Sequence, residues 1–161
     1  MTADLKAYRP NVGVVLFHRN GRVWLGRRAE TPGPYNWQFP QGGVDDGEDL
    51  EVAARRELAE ETGASSVTMM GRTDGWITYD YPVGHVTAPG RRAWKGQRQA
   101  WFAFRFDGAE EEFDLTAHPP AEFDAWRWDY LHNAPDLIVP FKRAVYDQVV
   151  TAFASFAAIR R

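Results

Sequence analysis

The sequence predicts an α/β fold, and three observations carry that prediction. Short apolar or alternating runs at 12–17, 23–26, 67–81, 97–106 and 123–130 have the length and period of strands. Leu50, Ala54 and Leu58 recur every four residues, an apolar stripe that a helix brings onto one side. Phe141, Val145, Val149 and Phe153 repeat the pattern behind Pro140, a residue suited to the first turn of a helix.

The elements follow in order. Residues 1–6 read as a loose lead-in. The run 12–17 is a strand, Asn20-Gly21 is a two-residue hairpin signal, and 23–26 is the return strand ending at Arg27 and Arg28. Two prolines and a glycine make 29–35 a loop, and 37–39 is a short strand. Adjacent glycines and an Asp-Asp-Gly turn make 42–47 a loop. A helix then runs from about Asp49, with acidic residues at its positive end, to a stop at Gly63. Residues 67–81 are extended. The stretch 81–94, with Arg91 and Arg92, is a mobile basic loop. In 97–106, Trp101, Ala103 and Arg105 alternate with Phe102, Phe104 and Phe106, which marks a central strand. Residues 107–120, with three glutamates at 110–112, form a solvated connection, and 123–130 is a last strand before the C-terminal helix.

A length of 161 residues fits one domain, 1–161, with a real core. Seven Trp, six Tyr and ten Phe supply rings for packing or for stacking on bases. A net charge of -3 argues against a general nucleic-acid coating protein. The absence of cysteine excludes disulfides and thiolate metal sites. No apolar run reaches the ~20 residues that span a bilayer, and no secretory leader stands near Met1. The expectation is a cytoplasmic protein with no membrane and no stable protein partner. His18, His85, His118 and His132 are scattered without ligand spacing, so they take no metal role.

Glu57, Glu60 and Glu61 are spaced i, i+3 and i+4, which puts three carboxylates into one small volume of the helix surface. Taken alone, such a cluster is most simply a solvated acidic face. It also suits a hard divalent ion, which takes oxygen ligands and bridges carboxylates to substrate phosphates.

The spacing from Gly42 decides between these. It reads glycine, five positions, Glu48, seven positions, Arg56-Glu57-Leu58, one position, Glu60-Glu61, one position, Gly63-Ala64. This resembles the motif of the Nudix hydrolases, G-x5-E-x7-R-E-U-x-E-E-x-G-U with U apolar, and every fixed position is met. Arg56 has the reach to tie Glu48 and so hold the loop, Gly43 included, against the helix. The resemblance implies a Nudix fold, a mixed sheet sandwiched between the motif helix and the C-terminal helix. It implies Mg²⁺ or Mn²⁺ held by Glu57, Glu60, Glu61 and the Gly42 carbonyl, with Glu57 as a ligand or as the base that deprotonates water.

Segments 8–13, 37–43, 96–102, 122–128 and 141–146 are similar to one branch of that family, the bacterial RNA pyrophosphohydrolases and the dinucleoside polyphosphate hydrolases. That likeness implies a late glutamate, Glu122, as metal ligand or base. It implies phosphate or RNA contacts at Arg9, Arg28 and Lys142, and a base stacked between Phe141 and Arg28. Tyr79, Lys95 and Gln97 are further candidates for substrate contact, Tyr79 having an ordinary core role as its alternative. The first-choice activity is removal of pyrophosphate from 5′-triphosphorylated RNA to leave a 5′-monophosphate. The alternatives are hydrolysis of diadenosine tetraphosphate-like molecules and, in another class, a non-catalytic nucleotide- or RNA-binding regulator.

Overall fold

The computed structural model describes residues 4–84 and 93–158. Eight strands form one mixed sheet: β1 (Tyr8–Phe17), β2 (Val23–Arg28), β3 (Trp37–Gln38), β4 (Gln41–Gly43), β5 (Val67–Arg72), β6 (Ile77–Asp80), β7 (Gly96–Phe106) and β8 (Phe123–Asp129). β1 and β7 pair in parallel along ten residues, from Tyr8 opposite Gly96 to Phe17 opposite Arg105. The remaining pairings are antiparallel.

Alternation along β1 and β7 divides the core in two. Val12, Val14, Leu16, Phe102 and Phe104 pack on one side against Ala53, Ala54 and Leu58 of α1 (Leu50–Thr62). Val15, Phe17, Trp101 and Ala103 pack on the other against Val145, Tyr146, Val149 and Phe153 of α3 (Arg143–Phe153). The sandwich expected from the family resemblance is therefore the one observed.

α1 has a modest apolar face for a helix that carries crowded acids, and its ends hold it. The Asp49 side chain accepts the Val52 N–H at 3.1 Å, a cap worth about 1 kcal/mol. Gly63 closes the helix in the left-handed region at φ 81°.

Four local expectations are corrected. The β1–β2 turn has three residues, not two: His18 pairs with Arg22, and Gly21 takes φ 88°, the geometry of a turn followed by a bulge. Gly42 and Gly43 lie in β4 rather than in a loop, because the N-terminal half of β1 offers them a partner strand at Val12 and Asn11. The extended run 67–81 is two strands, β5 and β6. The C-terminal helix starts at Arg143; Pro140–Lys142 is a 3-10 entry turn that leaves Phe141 exposed. Residues 131–139 contain a further short helix, α2 (Ala134–Leu137), which packs under α3. Of the expected basic loop, residues 85–92 lie outside the described part.

The connection 107–120 is more than solvated chain. Glu112 accepts the Ser65 and Ser66 N–H groups, both at 3.0 Å, and the Ser66 hydroxyl at 2.6 Å. These bonds, the hydroxyl's first, hold its carboxyl below the usual range. Asp114 N–H adds a bond to the Thr62 carbonyl at 2.8 Å. The end of the acidic helix is thus pinned from outside. Glu112→Ala is expected to lower stability by about 1–2 kcal/mol in urea denaturation at pH 7, the lower part of the range for charged hydrogen bonds because the group is only half-buried. Because its pKa is depressed on folding, this contribution is full above the unfolded value and fades as pH falls, so the gap between wild type and variant should narrow in acid.

Candidate active site

The site lies where β4 pairs with the N-terminal half of β1 and α1 packs against β4. Glu57 and Glu61 stand on the face of α1 turned toward β4. The Glu57 carboxyl lies across Gly42 so closely that a Cβ there would overlap it. Glycine is required at 42 for this reason, not to form a turn. Glu61 accepts the Gln41 N–H at 3.2 Å. A Cβ on Gly43 would stand 2.5 Å from the Arg9 guanidinium, which places Arg9 against the same strand.

Arg56 joins the loop to the helix. Its Nε and Nη2 donate to the two Glu48 oxygens, each at 2.9 Å, and Nη2 also donates to the Gly43 carbonyl at 2.9 Å. Nη1 donates to Glu57 at 2.9 Å and to Glu60 at 3.4 Å. The Glu48 and Glu57 side chains are each only 12% exposed, so these bonds act under little solvent screening. The Arg56 fork, then the Asp45 N–H, lowers the Glu48 pKa to about 2. Arg56 thus bonds both the Glu48 carboxylate and the Gly43 carbonyl from its place on α1.

Glu57 and Glu61 are both shifted in the direction opposite to Glu48. Burial raises the Glu57 pKa against the pull of Arg56. Burial, then the charges of Glu57 and Glu122, raises Glu61 well above the carboxylate range. Glu122, just ahead of β8, is therefore within electrostatic reach of Glu61. Lys142 closes the group: burial, then the charge of Arg28, lowers its pKa to about 8, while Glu122 and Glu61 act to raise it.

Of the other sequence candidates, Tyr79 is buried, only 8% exposed, and its ring centroid is 6.0 Å from that of Phe141, with Lys142 Nζ 5.7 Å from the centroid of the Tyr79 ring. Arg9 is close enough to Tyr79 to oppose the burial that raises its phenol pKa. Lys95 is engaged elsewhere: its ammonium lies 3.6 Å from Asp80 and over the Tyr8 ring. Gln97 is buried in a chain of amides. The sequence reading missed Gln41, whose N–H meets Glu61, and Gln99, whose side chain meets Gln41 and Gln97. The alternation Gln97, Gln99, Trp101 on one strand was the available signal for Gln99.

Among the described residues, no three His, Asp or Glu side chains converge closely enough to hold a metal, since Glu57 and Glu60 each turn an oxygen to Arg56. The donors nevertheless fit a hard divalent cation in kind. Glu57 and Glu61 are oxygen donors raised by burial and by neighbouring negative charge, a strain that a cation between them relieves. Among the described residues, no helix is long and apolar enough to cross a membrane.

A mixed sheet between two helices, with a glycine strand clamped to an acidic helix through Glu48 and Arg56, defines the Nudix class. Residues 7–149 match the NUDIX domain, and the chain belongs to that family. It is 65% identical to the RNA pyrophosphohydrolase of Caulobacter vibrioides (strain NA1000 / CB15N) over 155 residues, which cover 96% of this chain and 90% of that one. It is 48% identical to the RNA pyrophosphohydrolase of Rhizobium meliloti (strain 1021) over 164 residues, covering 96% and 98%. Among solved structures, the E. coli dihydroneopterin triphosphate pyrophosphohydrolase superposes with TM-score 0.66 at 22% identity, covering 90% of this chain and 98% of that one. A C. elegans Ap4A hydrolase complex superposes with TM-score 0.62 at 19% identity, covering 91% and 98%. Those two likenesses concern the fold alone.

Proposed function

We propose that the chain is a phosphoanhydride hydrolase that removes pyrophosphate from 5′-triphosphorylated RNA and leaves a 5′-monophosphate. The observation that carries the reading is the near-full-length identity, 65% and 48%, with proteins named for that activity, in a chain whose motif positions are all filled. We place it in the cytoplasm, with the RNA 5′ end as its partner and Mg²⁺ or Mn²⁺ as its cofactor.

Glu57, Glu60, Glu61, Glu122 and the Gly42 carbonyl would hold the metal. A divalent ion there supplies charge neutralisation for the polyphosphate and makes bound water more acidic. The chain's own residues do the rest. Arg9, Arg28 and Lys142 bind phosphate oxygens, and a Lys142 with a pKa near 8 is still largely cationic at neutral pH. Glu57 or Glu122 accepts the proton of the attacking water. Water adds across one anhydride bond, giving pyrophosphate and the shortened RNA end.

Phe141 is 40% exposed and offers its ring beside Tyr79 to the first base. Stacking of about 1–3 kcal/mol per base makes Phe141→Ala raise KM on the order of tenfold, with melting temperature nearly unchanged. An unchanged KM removes Phe141 from the substrate site.

The substrate assignment is tested by offering 5′-triphosphorylated RNA and diadenosine tetraphosphate together with Mg²⁺ and following both. RNA should be consumed first, with release of pyrophosphate. Consumption of the dinucleotide alone overturns the RNA assignment and keeps the chemistry. Consumption of neither, with RNA still bound, returns the chain to the class of non-catalytic binders.

A further inference from the structure

Parallel pairing of β1 with β7 places a layer of polar side chains beneath the candidate site, on the sheet face that lower down is wholly apolar. Trp101 is fully buried, with its indole lying on Gly13, where a Cβ would stand 2.5 Å from the ring. Its Nε1–H donates to Gln99 Oε1 at 2.9 Å. Gln99 is 1% exposed, and its Nε2 donates to Gln97 Oε1 at 2.9 Å and to Gln41 Oε1 at 3.2 Å. A longer approach, 3.5 Å, reaches Asn11 Oδ1. Gln97 Nε2 in turn donates to the Tyr81 hydroxyl at 3.2 Å.

The direction of this chain of amides follows from chemistry alone. An amide's oxygen and nitrogen can exchange places by a half-turn, so its polarity must be set by a partner that cannot reverse. An indole nitrogen only donates. Trp101 therefore fixes the Gln99 oxygen toward itself and sends both Gln99 hydrogens outward. Those hydrogens draw the oxygens of Gln97 and Gln41 inward, and the NH2 groups of both glutamines are left to face away from Gln99. Gln41 is also the residue whose main-chain N–H holds Glu61, and Gln97 stands opposite Arg9 in the sheet register.

We propose that Gln99, locked by Trp101, is a positioning residue that sets the amide polarity of Gln97 and Gln41, so that the site presents N–H donors to the phosphate oxygens of the substrate. Gln99 itself touches no substrate. The inference rests on the phosphoanhydride reading above, with Gln97 and Gln41 as the groups that meet the polyphosphate.

The deciding variant is Gln99→Glu, which still accepts the Trp101 N–H but cannot donate. Gln97 and Gln41 must then turn their NH2 groups inward and show oxygens to the site. KM for 5′-triphosphorylated RNA is expected to rise by about tenfold or more, with kcat changed much less, as for a lost charged hydrogen bond. In a Gln97→Met, Gln41→Met background the same substitution should leave KM where the double variant sets it. Should the buried carboxylate prevent folding, Gln99→Met takes its place. It removes the donor without adding charge and is expected to raise KM several-fold, again with no further effect in the double-variant background.

An unchanged KM in the folded Gln99 variant overturns the proposal. So does a KM effect that persists in the double-variant background, because Gln99 then acts by another route. If the wild type does not hydrolyse triphosphorylated RNA, the functional reading has failed instead. The same measurements then run on the phosphoanhydride substrate it does hydrolyse, and the same two outcomes decide.

Discussion

Glu57→Gln is expected to reduce kcat by roughly 10²- to 10⁴-fold, the range for loss of a positioned base or of the charge that supports it. The substitution keeps the shape of a side chain that is 12% exposed and lies across Gly42, so the loss should come without unfolding. Stability should move the other way. Burial raises the Glu57 pKa on folding, so the ionised group opposes folding at neutral pH, and the opposition disappears as pH falls through the raised value. Neutral glutamine at 57 removes that opposition, and its melting temperature at pH 7 without divalent ions should equal or exceed that of the wild type. Adding Mg²⁺ or Mn²⁺ should raise the wild-type melting temperature and raise the variant's less, since a ligand of the native state stabilises in proportion to its affinity. Turnover equal to wild type would remove Glu57 from catalysis. An equal metal-dependent rise in both proteins would remove it from the metal site.

The parts legible from sequence were those fixed by local spacing. Three glutamates at i, i+3 and i+4 have to share a helix surface, and an arginine eight residues after Glu48 can reach back to it. Gly63 had to end the helix because only a left-handed residue closes it there. What was not legible depends on which strands meet. Gly42 reads as a breaker, yet it becomes strand because β1 extends past its hairpin and offers Val12 as a partner. Gln99 reads as an ordinary polar residue until the parallel register sets it opposite Asn11 and within reach of Gln41. Glu112 reads as one of three solvated acids until the chain returns over the end of α1, 46 residues distant in sequence from Ser66. Phe141 has the four-residue spacing of a buried stripe, but the helix begins two residues later. The intervening 3-10 turn takes Phe141 off the packed face and leaves it available to a ligand.

The second large effect concerns Arg56, where stability and activity are coupled. Arg56→Ala leaves Glu48, Glu57 and Glu60 facing one another and frees the Gly43 carbonyl, so the loop ahead of α1 loses its tie to the helix. Breaking a fully buried pair costs about 3–5 kcal/mol; with the Arg56 side chain 27% exposed, a loss of about 2–3 kcal/mol is expected. Arg56→Lys restores the charge but not the two parallel bonds to Glu48, and should recover only part of that stability. Activity should fall in both variants, because Gly42 and Glu57 keep their contact only while the strand is clamped to the helix. Acid titration of the wild type supplies an independent sign. Glu48 is lowered from 4.5 to about 2 by the arginine, so its contribution is complete above the unfolded value and is lost as pH falls through the folded one. Urea midpoints taken between about pH 5 and pH 2.5 should therefore drop more steeply in the wild type than in Glu48→Gln. Parallel slopes, or an Arg56→Lys variant as stable and active as the wild type, would show that the bidentate clamp does not hold the site together.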